Sequence, residues 1–293
     1  MEVKRTWLFV PGHRRRFVDK AMTLRCDVVM LDIEDGVPPG EKPAARELIA
    51  EALARPKAPG GPARFVRINA AGHEHDETDL RAAVRPGLEG LVLPKVERAE
   101  EVRTVAEYLD GREAEVGLER GSVVLAPTIE SPRGLFAALA IAESSPRVVG
   151  LMFGAEDYGW ELGLPALREG AAADLTHARS TVVAAARAAH VQPVDGVWPD
   201  LQDEDGLRRD IGKARRLGFS GKASFHPAQI DAINAAFAPT PEEIDYCARL
   251  TDAFDEAFAR GEGSIAFEGR LVDRPIVERA RATLRQADDL GLR

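Results

Sequence analysis

Val28-Val29-Met30-Leu31-Asp32-Ile33-Glu34-Asp35 is a short β-branched apolar run that ends in carboxylates. Two later stretches repeat the pattern: Val123-Val124-Leu125-Ala126-Pro127-Thr128-Ile129-Glu130, and Val148-Val149-Gly150-Leu151-Met152-Phe153-Gly154-Ala155-Glu156-Asp157. Runs of this length, bounded by Gly or Pro, read as buried strands. A buried carboxylate is costly unless it is paired or binds a metal. Acids at the same end of several buried strands therefore need a common explanation, and one oxygen-lined site for a hard divalent cation supplies it.

Working outward, short apolar segments alternate with amphipathic ones. Trp7–Val10, Cys26–Ile33, Arg64–Ile68, Leu91–Leu93, Val123–Ile129, Val148–Phe153, Gln192–Val197 and Phe219–Phe225 read as strands. Helical spacing follows them at Phe17–Leu24, Lys42–Leu53, Asp79–Val84, Val96–Leu109, Leu135–Ala142, Ala178–Ala189, Gly206–Leu217 and Ala228–Ala236. Strand–helix pairs in this number, over about 240 residues, predict an α/β fold, a (β/α)8 TIM barrel spanning 1–237. A doubly wound open sheet is the alternative, but it places a Gly-rich fingerprint after the first strand. Here that turn is Pro11-Gly12-His13-Arg14-Arg15-Arg16, without GxGxxG. Residues 238–293 read as a C-terminal helical extension, with Thr240 as a cap, Pro241 in the first turn, a break at Gly261-Glu262-Gly263, and a final helix from Pro275. A barrel does not need this tail, so it is expected to cover a barrel face or a neighbouring subunit.

The 293 residues are 45% hydrophobic and 30% charged, as in ordinary globular proteins. The net charge of −9 argues against nucleic acid as a partner. Cys26 and Cys247 stand in no metal-ligand or redox spacing and read as buried thiols. With no apolar leader, and no apolar stretch near the ~20 residues that span a bilayer, a cytoplasmic protein without a membrane partner is expected.

A barrel of this kind carries its active site at the C-terminal ends of the strands. Those ends offer Arg14, Arg15 and Arg16, then Asp32, Glu34 and Asp35, then Arg67 and Asn69, Lys95, Glu130, Glu156 with Asp157, Asp200, and Ser224 with His226. Any one of these acids alone reads as a helix cap or an ion-pair partner; the set reads as one mouth. Carboxylates and water suit Mg2+, which keeps several waters and takes one or two carboxylates. Such an ion polarises a carbonyl or stabilises an enolate, and Arg67 would add a permanently charged donor. The combination points to carbon–carbon bond chemistry through an enolate. A Schiff-base role for Lys95 is disfavoured, because nearby carboxylates keep it protonated. His73 and His75 read as a solvated loop, His177 as surface, His226 as a turn-former, and Arg14–Arg16 equally as a phosphate cradle or a solvated face.

Taken in order, the motifs Leu31-Asp32-Ile33-Glu34-Asp35-Gly36-Val37, Lys42-Pro43-Ala44-Ala45-Arg46, Val66-Arg67-Ile68-Asn69, Leu93-Pro94-Lys95-Val96-Glu97, Ile129-Glu130-Ser131-Pro132-Arg133-Gly134, Phe153-Gly154-Ala155-Glu156-Asp157, His226-Pro227-Ala228-Gln229-Ile230, Phe267-Glu268-Gly269 and Val272-Asp273-Arg274-Pro275 resemble those of citrate lyase β-subunit-like proteins of the HpcH/HpaI aldolase superfamily, which include stand-alone malyl-CoA and citramalyl-CoA lyases. The resemblance covers about residues 5–290 and carries the barrel with it. It implies that Glu130 and Asp157 bind Mg2+ directly and that Glu34 and Asp35 hold the metal's waters. It implies that Arg67 contacts the substrate carbonyl or enolate and that the backbone of Gly154, Ala155 and Glu156 receives a keto-acid carboxylate. Arg14 joins them as a substrate-binding candidate. Asp273 matches a residue that in relatives reaches a neighbouring subunit's site as acid/base, which implies a homotrimer or a multiple of it.

The expected reaction is retro-Claisen cleavage of a 3-hydroxyacyl-CoA such as malyl-, citramalyl- or citryl-CoA to acetyl-CoA and a 2-oxo acid. A thioesterase using the same site, or a citrate lyase β subunit acting on an acyl-carrier-protein thioester, are the alternatives. Trp198 before Pro199 and Asp200, and Phe225 where relatives carry Ile or Val, are departures that bear on the acyl pocket.

Overall fold

The computed structural model describes residues 3–70, 72, 76–165 and 173–293, with Asp76 and Ala173 by backbone alone; His73 and His75 lie outside the described residues. Two compact units divide the chain, 3–234 and 235–293.

In the first unit the predicted strands form β1 (Thr6–Pro11), β2 (Val28–Asp32), β3 (Ala63–Arg67), β4 (Gly90–Leu93), β5 (Val124–Ile129), β6 (Gly150–Phe153), β7 (Gln192–Asp195) and β8 (Gly221–Ser224). They pair in sequence order, all parallel, and β8 returns to β1 through Trp7↔Ala223, closing the barrel. Parallel neighbours need crossovers, which α1 (Arg15–Ala21), α2 (Lys42–Ala54), α3 (Asp76–Ala83), α4 (Ala99–Glu115), α5 (Pro132–Ala142), α6 (Ala155–Glu161), α7 (Thr176–Ala188) and α8 (Glu204–Leu217) supply; α9 (Ile230–Phe237) follows the last strand. The short α6 is absent from the sequence reading, which passes from the strand ending at Phe153 to the helix at Ala178. Local chemistry sets the other ends. Ser131 caps α5 by accepting the Gly134 N–H at 3.0 Å, and Gly218, at φ 104°, ends α8.

Alternate strand residues point inward. Trp7, Val28, Met30, Phe65, Val92, Ala126, Met152, Val194 and Ala223 fill the interior, with Trp7 edge-on to Phe65 at 5.1 Å. The same parity continues to the strand ends: Val28 and Met30 lead to Asp32, Phe65 to Arg67, and Ala126 through Thr128 to Glu130. One alternation therefore makes a dry floor below and a charged mouth above.

Between the sheet and the helices lies an ionic cluster that the sequence reading missed. Lys222 Nζ stands 2.6 Å from Asp195 and 2.6 Å from Asp210, and Arg179 pairs with the same two acids at 2.7 and 2.9 Å. All four are buried. Burial opposes ionisation of Asp210, yet Lys222 and then Arg179 hold its carboxyl below the usual range. Lys222→Met should leave two buried acids with one cation and cost about 3–5 kcal/mol, read as a lower urea midpoint. A carboxyl depressed in the folded state gives stability that is present above its unfolded pKa and is lost as pH falls through the folded value. The deficit of Lys222→Met should therefore narrow as pH drops from 7 toward about 3.

The second unit contains α10 (Pro241–Ala259), the hairpin β9 (Ser264–Phe267) and β10 (Arg270–Asp273), and α11 (Arg274–Asp289). Thr240 caps α10 in a capping box with Glu243. The sequence reading had only an apolar crossing where the hairpin stands. Glu268 (φ 49°) and Gly269 (φ 77°) form its two-residue turn, both left-handed as such hairpins require. Leu250, Phe254, Val272, Val277, Ala280 and Leu284 share this unit's core. Among the described residues no helix is long and apolar enough to cross a membrane.

Candidate active site

Arg67 is the best-fixed cation of the mouth. Its Nε and Nη2 each lie 2.7 Å from an oxygen of Asp32, and its Nη1 lies 2.9 Å from Glu34. Its guanidinium also covers the Phe9 ring at 4.6 Å. Burial alone would lower its pKa, but Asp32, Glu34 and Glu130 raise it above the ordinary range. At most three of its five N–H groups are spent on these acids, which leaves donors for an oxyanion.

Asp32 accepts more than Arg67. Backbone N–H groups of Glu34 and Gly36 donate to it, each at 3.0 Å, so it shapes the loop that carries Glu34 and Asp35. A Cβ at Gly36 would fall 2.3 Å from Asp32 Oδ2, so only glycine allows this closure. Lys95 Nζ then lies 2.7 Å from Glu34 and 2.7 Å from Asp35. Burial raises the Glu34 pKa against the pull of Arg67 and Lys95, while Lys95 holds Asp35 low although burial opposes it. Asp35 and Glu34 raise the Lys95 pKa, against burial, so its amine stays protonated, as expected from its surroundings.

Glu130 ends the inward row of β5. It is buried, and its carboxylate rests on the α-carbon of Gly154, where a Cβ would come within 2.2 Å of its Oε2. The Lys95 backbone N–H donates to its Oε1 at 2.5 Å. Burial first, then the charges of Asp157 and Glu34, push the Glu130 pKa up to about 8. Arg67, Thr128, Glu130, Gly154, Ala155, Glu156 and Asp157 line one cavity; Phe9, Met152, Val197, Ala223 and Phe225 form its apolar wall, where Phe225 meets Phe9 at 5.5 Å.

The structure thus brings Glu34, Arg67, Glu130, Glu156 and Asp157 together with Lys95. Gly154 contributes space rather than a donor, since its own N–H is given to Ile129 O at 2.9 Å. Arg14 is exposed at the start of α1, outside the residues that line the cavity. Asp273 is the exposed N-cap residue of α11 in the second unit, and its carboxylate makes no capping bond. Asn69 is absorbed in a buried chain with Lys42 and Asp79, and Asp79 also holds Arg46 at 2.7 Å. Asp200 binds the backbone N–H groups of Gln202 and Asp203. His226 accepts the Ala228 N–H through Nδ1, the turn-forming role read from sequence. Phe9 and Thr128 were not anticipated; the inward parity of β1 and β5 was the available signal.

The donor set suits Mg2+. Among the described residues no three His, Cys, Asp or Glu side chains form a ready-made cage, and Mg2+ asks only for one or two carboxylates plus water. A buried Glu130 whose neighbours Asp157 and Glu34 are also acids resists ionising, and a divalent ion would supply the positive charge that favours its carboxylate.

The family model "HpcH/HpaI aldolase/citrate lyase" matches residues 5–227. The citrate lyase subunit beta of Escherichia coli (strain K12) is 36% identical, covering 99% of this chain and 95% of that protein. The mitochondrial citramalyl-CoA lyase of Mus musculus is 35% identical, covering 95% and 84%. The crystal structure of the protein CitE from Mycobacterium tuberculosis in complex with magnesium, acetoacetate and coenzyme A shares 33% identity, with a TM-score of 0.78 and 98% of each chain covered. Together with the closed barrel and its carboxylate mouth, these matches place the chain in the HpcH/HpaI aldolase/citrate lyase family.

Proposed function

We propose that the protein is a cytoplasmic, Mg2+-dependent carbon–carbon lyase that splits a 3-hydroxyacyl-CoA into acetyl-CoA and a 2-oxo acid. The observation that carries this is the pairing of a buried, acid-flanked Glu130 with a rigidly held Arg67 in one cavity. Glu130 and Asp157 would hold the metal, with Glu34 and Asp35 beside it. The ion, when bound, supplies positive charge that polarises the substrate's oxygen. Cleavage breaks the bond between C2 and C3 of the acyl group, and its electron pair moves onto the thioester as an enolate. Arg67 offers its remaining N–H groups to that oxyanion, already oriented by Asp32 and Phe9, so little reorganisation is needed. The hydroxyl proton leaves to a carboxylate of the mouth, and the main chain at the start of α6, beyond Gly154, receives the 2-oxo acid's carboxylate. The apolar wall keeps water from the enolate. Asp273, unengaged as a cap, returns a proton to the enolate carbon of a neighbouring subunit's site in a homotrimer or a multiple of it.

Purified chain incubated with malyl-, citramalyl- and citryl-CoA should release acetyl-CoA and the matching 2-oxo acid with Mg2+ and stop with EDTA. Release of free CoA without acetyl-CoA would make it a thioesterase; turnover only of a carrier-protein thioester would make it a non-autonomous subunit. The intersubunit role of Asp273 has its own test. Asp273→Asn and Glu130→Ala chains, each inactive, should regain about a quarter of wild-type activity when mixed equally and reassembled, because one site in four then combines both intact residues. No recovery on mixing would confine Asp273 to its own subunit or remove it from the site.

A further inference from the structure

Lys95 is a charged residue of the mouth that this reaction leaves without a task. It lies just past β4 with a left-handed backbone, φ 52°, which a residue with a side chain adopts only when its surroundings enforce it. Both ends of the residue are engaged. Its N–H points at Glu130 Oε1, at 2.5 Å, and its ammonium lies 2.7 Å from Glu34 Oε1 and 2.7 Å from Asp35 Oδ2. One residue of the β4 loop therefore grips acids from the ends of β2 and β5.

Two ordinary readings fall short of this geometry. A Schiff-base lysine needs a neutral amine, and two carboxylates at 2.7 Å stabilise the ammonium. A surface ion pair contributes little and requires no backbone strain, whereas Glu34 is buried and Lys95 shares it with Arg67. We propose that Lys95 is a positioning residue that works from both ends: its main-chain N–H sets the orientation of Glu130, and its ammonium sets Glu34 and Asp35. The proposal rests on the reading of Glu130 and Asp157 as metal ligands.

The two ends can be separated by substitution. Lys95→Met removes the ammonium. Lys95→Gly removes it too, but accepts positive φ freely and keeps the N–H in place. Lys95→Arg keeps the charge. Lys95→Val, β-branched, resists positive φ and draws the N–H away from Glu130. Calorimetry should find Mg2+ affinity within about threefold of wild type in Lys95→Gly and Lys95→Met, and weakened about tenfold or more in Lys95→Val. Turnover should show kcat about 100-fold lower in Lys95→Met and Lys95→Gly with KM little changed, and Lys95→Arg should recover at least about tenfold over Lys95→Met. Lys95→Met with wild-type kcat overturns the ammonium's part. Lys95→Val binding Mg2+ as tightly as Lys95→Gly overturns the backbone's part. A wild-type chain that neither binds Mg2+ nor cleaves a CoA thioester overturns the function reading instead. Thermal melting then judges the backbone geometry alone: it stands if Lys95→Val melts about 3 °C or more below Lys95→Gly and falls if the order reverses.

Discussion

Glu130→Ala and Asp157→Ala are each expected to lower Mg2+-dependent turnover by three orders of magnitude or more, roughly the several kcal/mol that a bound cation contributes to a developing oxyanion. Normal turnover in either variant would remove that residue from the metal. Glu130→Gln separates the metal's contribution from the fold's. In EDTA-treated protein the Glu130 carboxyl titrates near 8, raised by burial and by Asp157 and Glu34. An acid whose folded pKa lies above its unfolded value binds more protons in the native state, so stability falls as pH rises between the two values, here from about 4.5 to 8. The metal-free wild type should therefore lose thermal stability across that interval, while Glu130→Gln, with no proton to lose there, should lose less. The variant becomes the more stable protein in EDTA at pH 8 and the less stable one with Mg2+, which binds the native wild type and stabilises it by mass action. Parallel melting curves for the two proteins with and without Mg2+ would sink the assignment. Such an inversion is the trade expected where a site stores repulsion for a ligand to relieve.

Reading the strands from sequence worked because barrel strands buried on both faces are apolar almost throughout, and the positions where acids interrupt the run mark the mouth. The row Val28, Met30, Asp32, Glu34 shows why: the inward face changes from apolar to charged without a change of period. What sequence could not supply was direction and partner. Asp32 reads from sequence as one more acid of the mouth beside Glu34 and Asp35, yet it is spent on Arg67 and on two backbone N–H groups. Lys95 looked like one more base; its reach to Glu130 depends on a left-handed backbone that no periodicity announces. The Lys222–Asp195–Arg179–Asp210 cluster was hidden for a related reason. Lys222 and Asp195 face outward from strands, while their partners lie on helices 12 and 16 residues away along the chain. Asp273 marks another limit: its place as N-cap of α11 follows from Pro275, but nothing in the sequence spacing tells what its exposed carboxylate meets.

Arg67→Met should combine the second large loss of activity with a loss of stability, and a second substitution should pull the two apart. Removing the guanidinium takes away the donors aimed at the enolate, a loss on the order of 10²–10³ in kcat. It also strands Asp32, whose side chain is 3% exposed, and takes one of two cations from Glu34. Breaking a buried pair by deleting one partner costs about 3–5 kcal/mol, mostly from the charge left behind. Asp32→Asn in the same chain removes that charge and keeps one oxygen, which accepts either the Glu34 or the Gly36 N–H, since these donate to different oxygens of Asp32. Arg67→Met/Asp32→Asn should thus unfold at a higher urea concentration than Arg67→Met, while its turnover stays as low. Asp32→Asn alone leaves Arg67 held by Glu34 and by the face of Phe9. It should cost only about tenfold, in keeping with a group that orients the donor without touching the substrate. If the double variant recovered activity along with stability, Arg67 would be a structural cation and the oxyanion would need another donor. If it recovered neither, the Asp32–Arg67 pair would not be the buried, mutually compensating pair that two contacts of 2.7 Å describe.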